Sequence, residues 1–410
     1  MTALAILMTP PARAGESGDW LQWGGPTRDF KLSAEKVALA ERWPDAGPTR
    51  RWSRTLGPGC SSILAQSGRL YTMYRDGRDE IVICLDATDG KTIWEHRYTT
   101  GRYDDMTTYF GEGPNATPLI VGDRIISVGV AGELRCLKTT DGALLWRCDL
   151  TKEYGHQPRK EEYGFSCCPI LHEDRVILPI GGEKHGVIAL RPSDGSVIWK
   201  SGPDNVSYAP PAIIRDGARS EVLFYSPAEV IALDAKDGAA CWRWPCRNPN
   251  ENNCTAAIQC DPRHVWAATQ TEGAARLLRL GDESKPPRVE QVWFRPKIRV
   301  FHWNVVCVGD YLYGSFGGSD RSRLGVVDWR QGTLKLMAGP LHAATCIYVD
   351  GRLILLDSRG VLGLARVTPG RLDLMDSAQV LTEPAWAAPT LVGTTLYLRD
   401  TRTIAALDLG

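Results

Sequence analysis

The stretch Cys84-Leu-Asp-Ala-Thr-Asp89-Gly90-Lys-Thr-Ile-Trp94 returns as Cys136-Leu-Lys-Thr-Thr-Asp141-Gly142-Ala-Leu-Leu-Trp146, as Ala189-Leu-Arg-Pro-Ser-Asp194-Gly195-Ser-Val-Ile-Trp199, and as Ala232-Leu-Asp-Ala-Lys-Asp237-Gly238-Ala-Ala-Cys-Trp242. All share Leu, Asp, Gly and Trp at the same offsets. A recurrence of this kind marks one supersecondary unit that cannot bury its apolar face alone and must stack on its neighbours. Alternating and β-branched runs bounded by Gly, Asp and Pro make that unit all β. The first unit is predicted to run from Ser62 to Ala65, Leu70 to Tyr74, Ile81 to Leu85 and Thr92 to Arg97. The Asp-Gly pair then sits in the turn before the last strand, where Gly takes positive φ without steric cost. The following Trp lies on that strand, ready to cover the adjacent unit.

Degenerate copies follow at Arg276 to Trp293, Leu324 to Leu336 and Leu362 to Leu374. The last, from Trp386 to Asp408, stops at Gly410 before its outer strand. Far upstream, Arg50-Arg51-Trp52-Ser53-Arg54-Thr55-Leu56 reads as an outer strand with no partners before it. Pairing the two closes a ring and removes the open sheet edges. The expected fold is therefore an all-β, eight-bladed β-propeller of four-stranded antiparallel blades, spanning residues 50–410, with residues 15–49 as an extension packed on it.

Residues 1–14, ending in Ala12-Arg-Ala14, have the apolar run and small-residue site of a secretory signal, which implies a periplasmic or secreted protein. No apolar run is long enough to span a membrane. With 48 basic and 48 acidic residues the net charge is zero, so no field of one sign exists to draw nucleic acid. Export would permit disulfides among the 12 cysteines. Cys84 and Cys136, however, hold the slot filled by Ala189 and Ala232 and read as small buried residues, leaving Cys167 with Cys168, and Cys246 with Cys254, as pairs to consider.

The pattern Ala-Leu-Asp-x-x-x-Gly-x-x-x-Trp resembles the tryptophan docking motif of quinoprotein-type β-propellers, over nearly the whole chain. That family includes pyrroloquinoline-quinone dehydrogenases, the propeller lipoprotein of the outer-membrane barrel assembly machinery, and secreted bacterial propellers. Trp20-Leu-Gln-Trp23-Gly-Gly25-Pro26-Thr-Arg28-Asp29 is similar to the last group. The resemblance implies a common scaffold and leaves the activity open, because the motif is structural.

In such a ring the innermost strands line a channel, and aligning the copies places Cys60, Asn115, Ser166, Tyr208, Cys254, His302, Ala343 and Trp386 at one mouth. Glu112, Tyr163, Phe165, Asn253, Trp303, Asn304 and His342 would extend this lip into a shallow pocket. The binding candidates are thus Asn115, Tyr163, Ser166, Tyr208, Asn253, His302, Trp303, His342 and Trp386. A one-residue slip in any blade would exchange lip and flank, since strand faces alternate.

In the dehydrogenases the resemblance implies a vicinal disulfide over the cofactor, calcium held by carboxylates and amides, and an Asp base. Cys167-Cys168 is the one match, and the aligned lip carries no Asp or Glu to accompany it. His302 and His342 near one mouth raise zinc, but facing rim positions are far apart for a tetrahedral site. No nucleophile elbow, phosphate loop or dinucleotide fingerprint occurs. The sequence therefore points to an exported monomeric propeller without cofactor, binding a protein partner or small ligand at its mouth. The alternative is a pyrroloquinoline-quinone dehydrogenase with calcium.

Overall fold

In the computed structural model the described residues are 18–32, 37–100, 111–155, 163–182, 185–202, 205–250, 252–271, 274–282, 287–319, 321–337 and 339–410. The signal-like residues 1–14, His156 and the charged run 159–162 lie outside them.

The repeat folds into eight sheets arranged as blades of a β-propeller. The innermost strands, in blade order, are Leu64–Gln66, Leu119–Val121, Ile170–His172, Ala212–Asp216, Ile258–Asp261, Val305–Val308, Ala344–Val349 and Thr390–Val392. Each begins an antiparallel meander. Blade one, for example, continues through Arg69–Asp76, Asp79–Asp86 and Thr92–Thr99. The ring closes where expected, with Thr49–Thr55 pairing antiparallel to Thr403–Asp408 and Trp52 opposite Ala406. The short strand Lys31–Leu32 adds a fifth, parallel member beside Tyr348 and Val349 in blade seven. The described helix is a single turn, Leu150–Tyr154.

A local rule explains the repeat. The outer strand carries a bulge just before its Trp, so the indole faces the small residue of the preceding strand: Cys84 with Trp94, Cys136 with Trp146, Ala189 with Trp199, Ala232 with Trp242. A larger side chain there would push the indole off the sheet. The indole then lies on the turn glycine of the next blade. A Cβ on Gly90 would sit 2.6 Å from Trp52, one on Gly142 2.6 Å from Trp94, and one on Gly195 2.8 Å from Trp146. Each of these indoles also donates Nε1–H to a carbonyl of that next blade: Trp52 to Ala87 at 3.0 Å, Trp94 to Thr139 at 2.9 Å, Trp146 to Pro192 at 3.0 Å. Trp242 departs from the pattern and donates to Glu221 Oε2 at 2.7 Å.

Between blades one and two lies a buried carboxyl cluster. Glu80 is fully buried and accepts from Arg75 Nη2 (3.2 Å), the Tyr98 hydroxyl (2.9 Å) and the Val130 amide (3.0 Å). Gly129 is crowded by both Glu80 and Glu133 carboxylates, which only a missing side chain allows. Burial first, with the neighbouring Glu133 adding to it, raises the Glu80 pKa from 4.5 to about 7. The folded chain thus holds a proton that the unfolded chain has already released. Stability is therefore highest below about pH 4.5 with respect to this group and falls as pH rises toward 7, by on the order of 3 kcal/mol. Urea midpoints measured across that window should show the fall, and Glu80→Gln, which cannot titrate, should flatten it.

Candidate binding site at the channel mouth

Each innermost strand enters from a loop at the same end of the ring, so the residues just before the strands converge there. A cavity of about 150 Å³ occupies this end. Seven of the eight aligned lip residues line it: Cys60, Asn115, Ser166, Tyr208, Cys254, His302 and Trp386. Ala343, the eighth, is fully buried against Phe301, Trp303 and Trp386. Below the lip lies a second tier two residues further on: Ser62, Thr117, Cys168, Pro210, Asn304, Thr345 and Ala388. Strand periodicity accounts for it, since i and i+2 share a face. Tyr163, Asn252 and Phe301 complete the walls.

Other expected residues turn elsewhere. Asn253 is buried and holds loops together, donating to Ser207 Oγ (3.2 Å) and the Ser226 carbonyl (3.2 Å) while accepting from Asn248 (2.8 Å). Trp303 is fully buried beneath the wall, and His342 forms a backbone bridge with Arg323. Glu112 lines a separate depression with Gly57, Tyr74 and Arg75. The one-residue alternation explains these: Asn253 and Trp303 each follow or precede a lip residue and so point into the blade.

The pairing considered for Cys167 and Cys168 is not made. Both are free thiols. Cys168 Sγ accepts from the Thr117 amide at 3.2 Å toward blade two, whereas Cys167 Sγ contacts the Ala209 carbonyl at 3.3 Å toward blade four. Adjacent residues of an extended segment diverge to opposite faces, which separates the two sulfurs. Cys246 and Cys254 are free as well. Burial pushes the cup thiols up, Cys60 and Cys168 to about 11 and Cys254 to about 12, so they are protonated and inert.

The floor comes from outside the repeat. Trp20 exchanges backbone hydrogen bonds with Ala65 at 2.8 and 2.9 Å, and Leu21 accepts from Ile120 at 2.8 Å. Arg28 then reaches the Leu171 carbonyl, and Phe30 accepts from Tyr348 at 2.8 Å. Residues 20–32 thereby cross the far end of the channel from blade one to blade seven. Trp23, edge-on to Phe30 at 4.7 Å, lines both the mouth cavity and the space beneath it. The channel is a blind cup.

Its electrostatics are equally plain. Among the described residues the lining includes no Asp, Glu, Lys or Arg. His302 packs against Phe301 (4.4 Å) and Trp303 (3.7 Å), and burial lowers its pKa to about 3, which keeps the ring neutral. Among the described residues no group of three or more His, Cys, Asp or Glu is placed to hold a metal ion.

A family model described as outer membrane protein assembly factor BamB matches residues 78–380. The chain belongs to that family. Its fold is shared by BamB from Moraxella catarrhalis, at 14% identity and TM-score 0.59 over 88% of this chain and 97% of that one. Quinohemoprotein alcohol dehydrogenase from Comamonas testosteroni superposes with TM-score 0.63 at 12% identity, covering 97% of this chain and 82% of the dehydrogenase. A europium-containing methanol dehydrogenase gives 0.60 at 11% identity over 93% and 90%. No curated protein matches the sequence. At these identities the likeness to the solved structures is one of fold. No helix among the described residues is long and apolar enough to cross a membrane.

Proposed function

We propose that this chain is an exported, monomeric binding propeller that holds a protein partner or small ligand in its blind cup and performs no chemistry of its own. The observation that carries the reading is the uncharged lining. Pyrroloquinoline quinone is an anionic, carboxylate-bearing cofactor, and calcium takes six to eight oxygen ligands, commonly with carboxylates among them. The described lining offers neither cations for the one nor carboxylates for the other, so the residues present do not fit that pair. Protonated thiols are poor nucleophiles, and burial that lowers the His302 pKa to about 3 makes its neutral imidazole a weak base near neutral pH. Loops on a rigid ring are, by contrast, well suited to binding. Export accords with Ala12-Arg-Ala14 and with the family's description as an outer-membrane assembly factor.

Two measurements test this. Purified protein incubated with pyrroloquinoline quinone and calcium should retain no quinone absorbance and support no dye-linked alcohol oxidation; retention with turnover would overturn the proposal. A photo-crosslinking residue at Trp386 or Tyr208 should capture one defined partner in the producing cell, identified by mass, while one at Asp237, in an exposed blade turn, should not.

A further inference from the structure

We infer that Cys260 and Cys307 form a dithiol pair that exchanges with external disulfides and, once oxidised, clips blade five to blade six. Strand alternation brings the two side chains to one seam. In Ile258–Asp261 of blade five, Gln259 turns toward blade four, where it accepts from the Arg215 amide (3.0 Å) and donates to the Arg215 carbonyl (2.7 Å). Ile258 and Cys260 therefore turn the other way, into the core shared with blade six. In Val305–Val308 of blade six, Val306 packs toward blade seven, which leaves Val305 and Cys307 in that same core on the blade-five side.

Depth matches as well. Each cysteine is the third residue of a four-residue innermost strand. Just beyond them Arg330 ties the two blades together, reaching Asp310 at 2.7 Å and Asp261 at 3.7 Å. The thiols meet across the seam, with Cys260 donating to Cys307. Both are free and half-buried, and Cys307 lines the cavity beneath the cup's floor beside Trp23 and Lys31.

Reactivity is divided between them. The hydrogen bond from Cys260, helped by the Lys31 ammonium, holds the Cys307 thiol below its usual pKa, whereas burial keeps Cys260 protonated. In the exchange the Cys307 thiolate attacks one sulfur of the incoming disulfide, forming a mixed disulfide and releasing a thiolate that takes up the proton Cys307 gave to solvent. Cys260 then loses its proton and attacks the Cys307 sulfur. The new Sγ–Sγ bond forms as the mixed bond breaks, and the second thiolate leaves with that proton. Two protein thiols become one disulfide while the incoming disulfide becomes two thiols. This is one oxidation of the chain itself, without turnover, and neither sulfur belongs to the mouth cavity, so the outcome is independent of the cup's ligand.

Glutathione disulfide is the probe. The reduced full chain, incubated with it without denaturant and quenched in acid, should lose two of its twelve thiols and give one crosslinked peptide pair joining Cys260 to Cys307, lighter by two hydrogens than the reduced pair. Its urea midpoint should rise on oxidation, because the bond restrains the unfolded chain. Cys260→Ser should instead trap one glutathione on Cys307 and show no rise, while Cys241→Ser, which removes a half-buried thiol of blade four, should behave as the unaltered chain. Cys260 and Cys307 both recovered as free thiols, or either joined to another cysteine, would overturn the inference. Faster oxidation by glutathione disulfide than by an equal concentration of an oxidised thioredoxin-fold oxidoreductase assigns a small-molecule oxidant, and the reverse order assigns a protein.

Discussion

Arg399→Leu should lower the unfolding free energy by about 3–5 kcal/mol, one of the largest losses any single substitution here would cause. Arg399 belongs to Thr395–Arg399 of blade eight and is buried to 1% exposure. Its guanidinium crosses the seam where the two ends of the propeller meet. Nη1 donates to the Met73 carbonyl (2.7 Å) and Thr72 Oγ1 (3.2 Å), Nη2 to the Gly57 carbonyl (3.2 Å), and Nε to the Asp400 carbonyl (3.2 Å). Only a planar fork with several donors reaches so many acceptors at once. Burial lowers its pKa to about 10, which still leaves it charged at neutral pH. Leucine would fill the volume in part but strand two or three buried carbonyls. Urea denaturation of the two proteins gives the difference directly. Arg97→Ala, which removes an exposed pair with Asp76, serves as the control and should cost at most about 1 kcal/mol. A loss for Arg399→Leu no greater than that control would show that the seam is held by its strand pairing alone.

Trp94→Ala should cost a similar 3–5 kcal/mol. The indole is 8% exposed, packs on the Gly142 turn and donates to the Thr139 carbonyl at 2.9 Å. Its loss leaves a void between blades one and two together with an unsatisfied carbonyl. The reciprocal change, Gly142→Ala, places a Cβ 2.6 Å from that indole at a residue with φ of 73°, and should also destabilise. Because both changes break one contact, the double variant should lose clearly less than the two single losses added together. Full additivity would mean that indole and turn act independently. Trp242 offers a contrast, since its indole N–H serves Glu221 of its own blade.

The ring and its closure were legible because their causes are local. Turn glycine, bulge and indole sit within a dozen residues of one another, so each copy announces itself, and the missing outer strand at Gly410 could be matched to Trp52 by pattern alone. The upper tier of the cup was readable for the same reason: one residue per blade, in register. Its lower tier, Thr117 or Thr345 for example, carried the available signal of spacing by two. Asn253, Trp303 and His342 were misplaced because alternation punishes an error of one residue, and in an irregular loop nothing in the sequence sets the phase.

What the chain's sequence by itself determined is the blade count, the location of the closing strand and the identity of most lip residues, since strand alternation and turn chemistry act over short distances. Only the tertiary structure decided that the channel is blind, that Trp23 is its floor, that Cys167 and Cys168 diverge, and that Arg399 spans the seam. These depend on contacts between segments as much as 342 residues apart, whose meeting no local pattern encodes. The character of the cup, uncharged and rich in aromatic residues, emerges only when those segments are brought together.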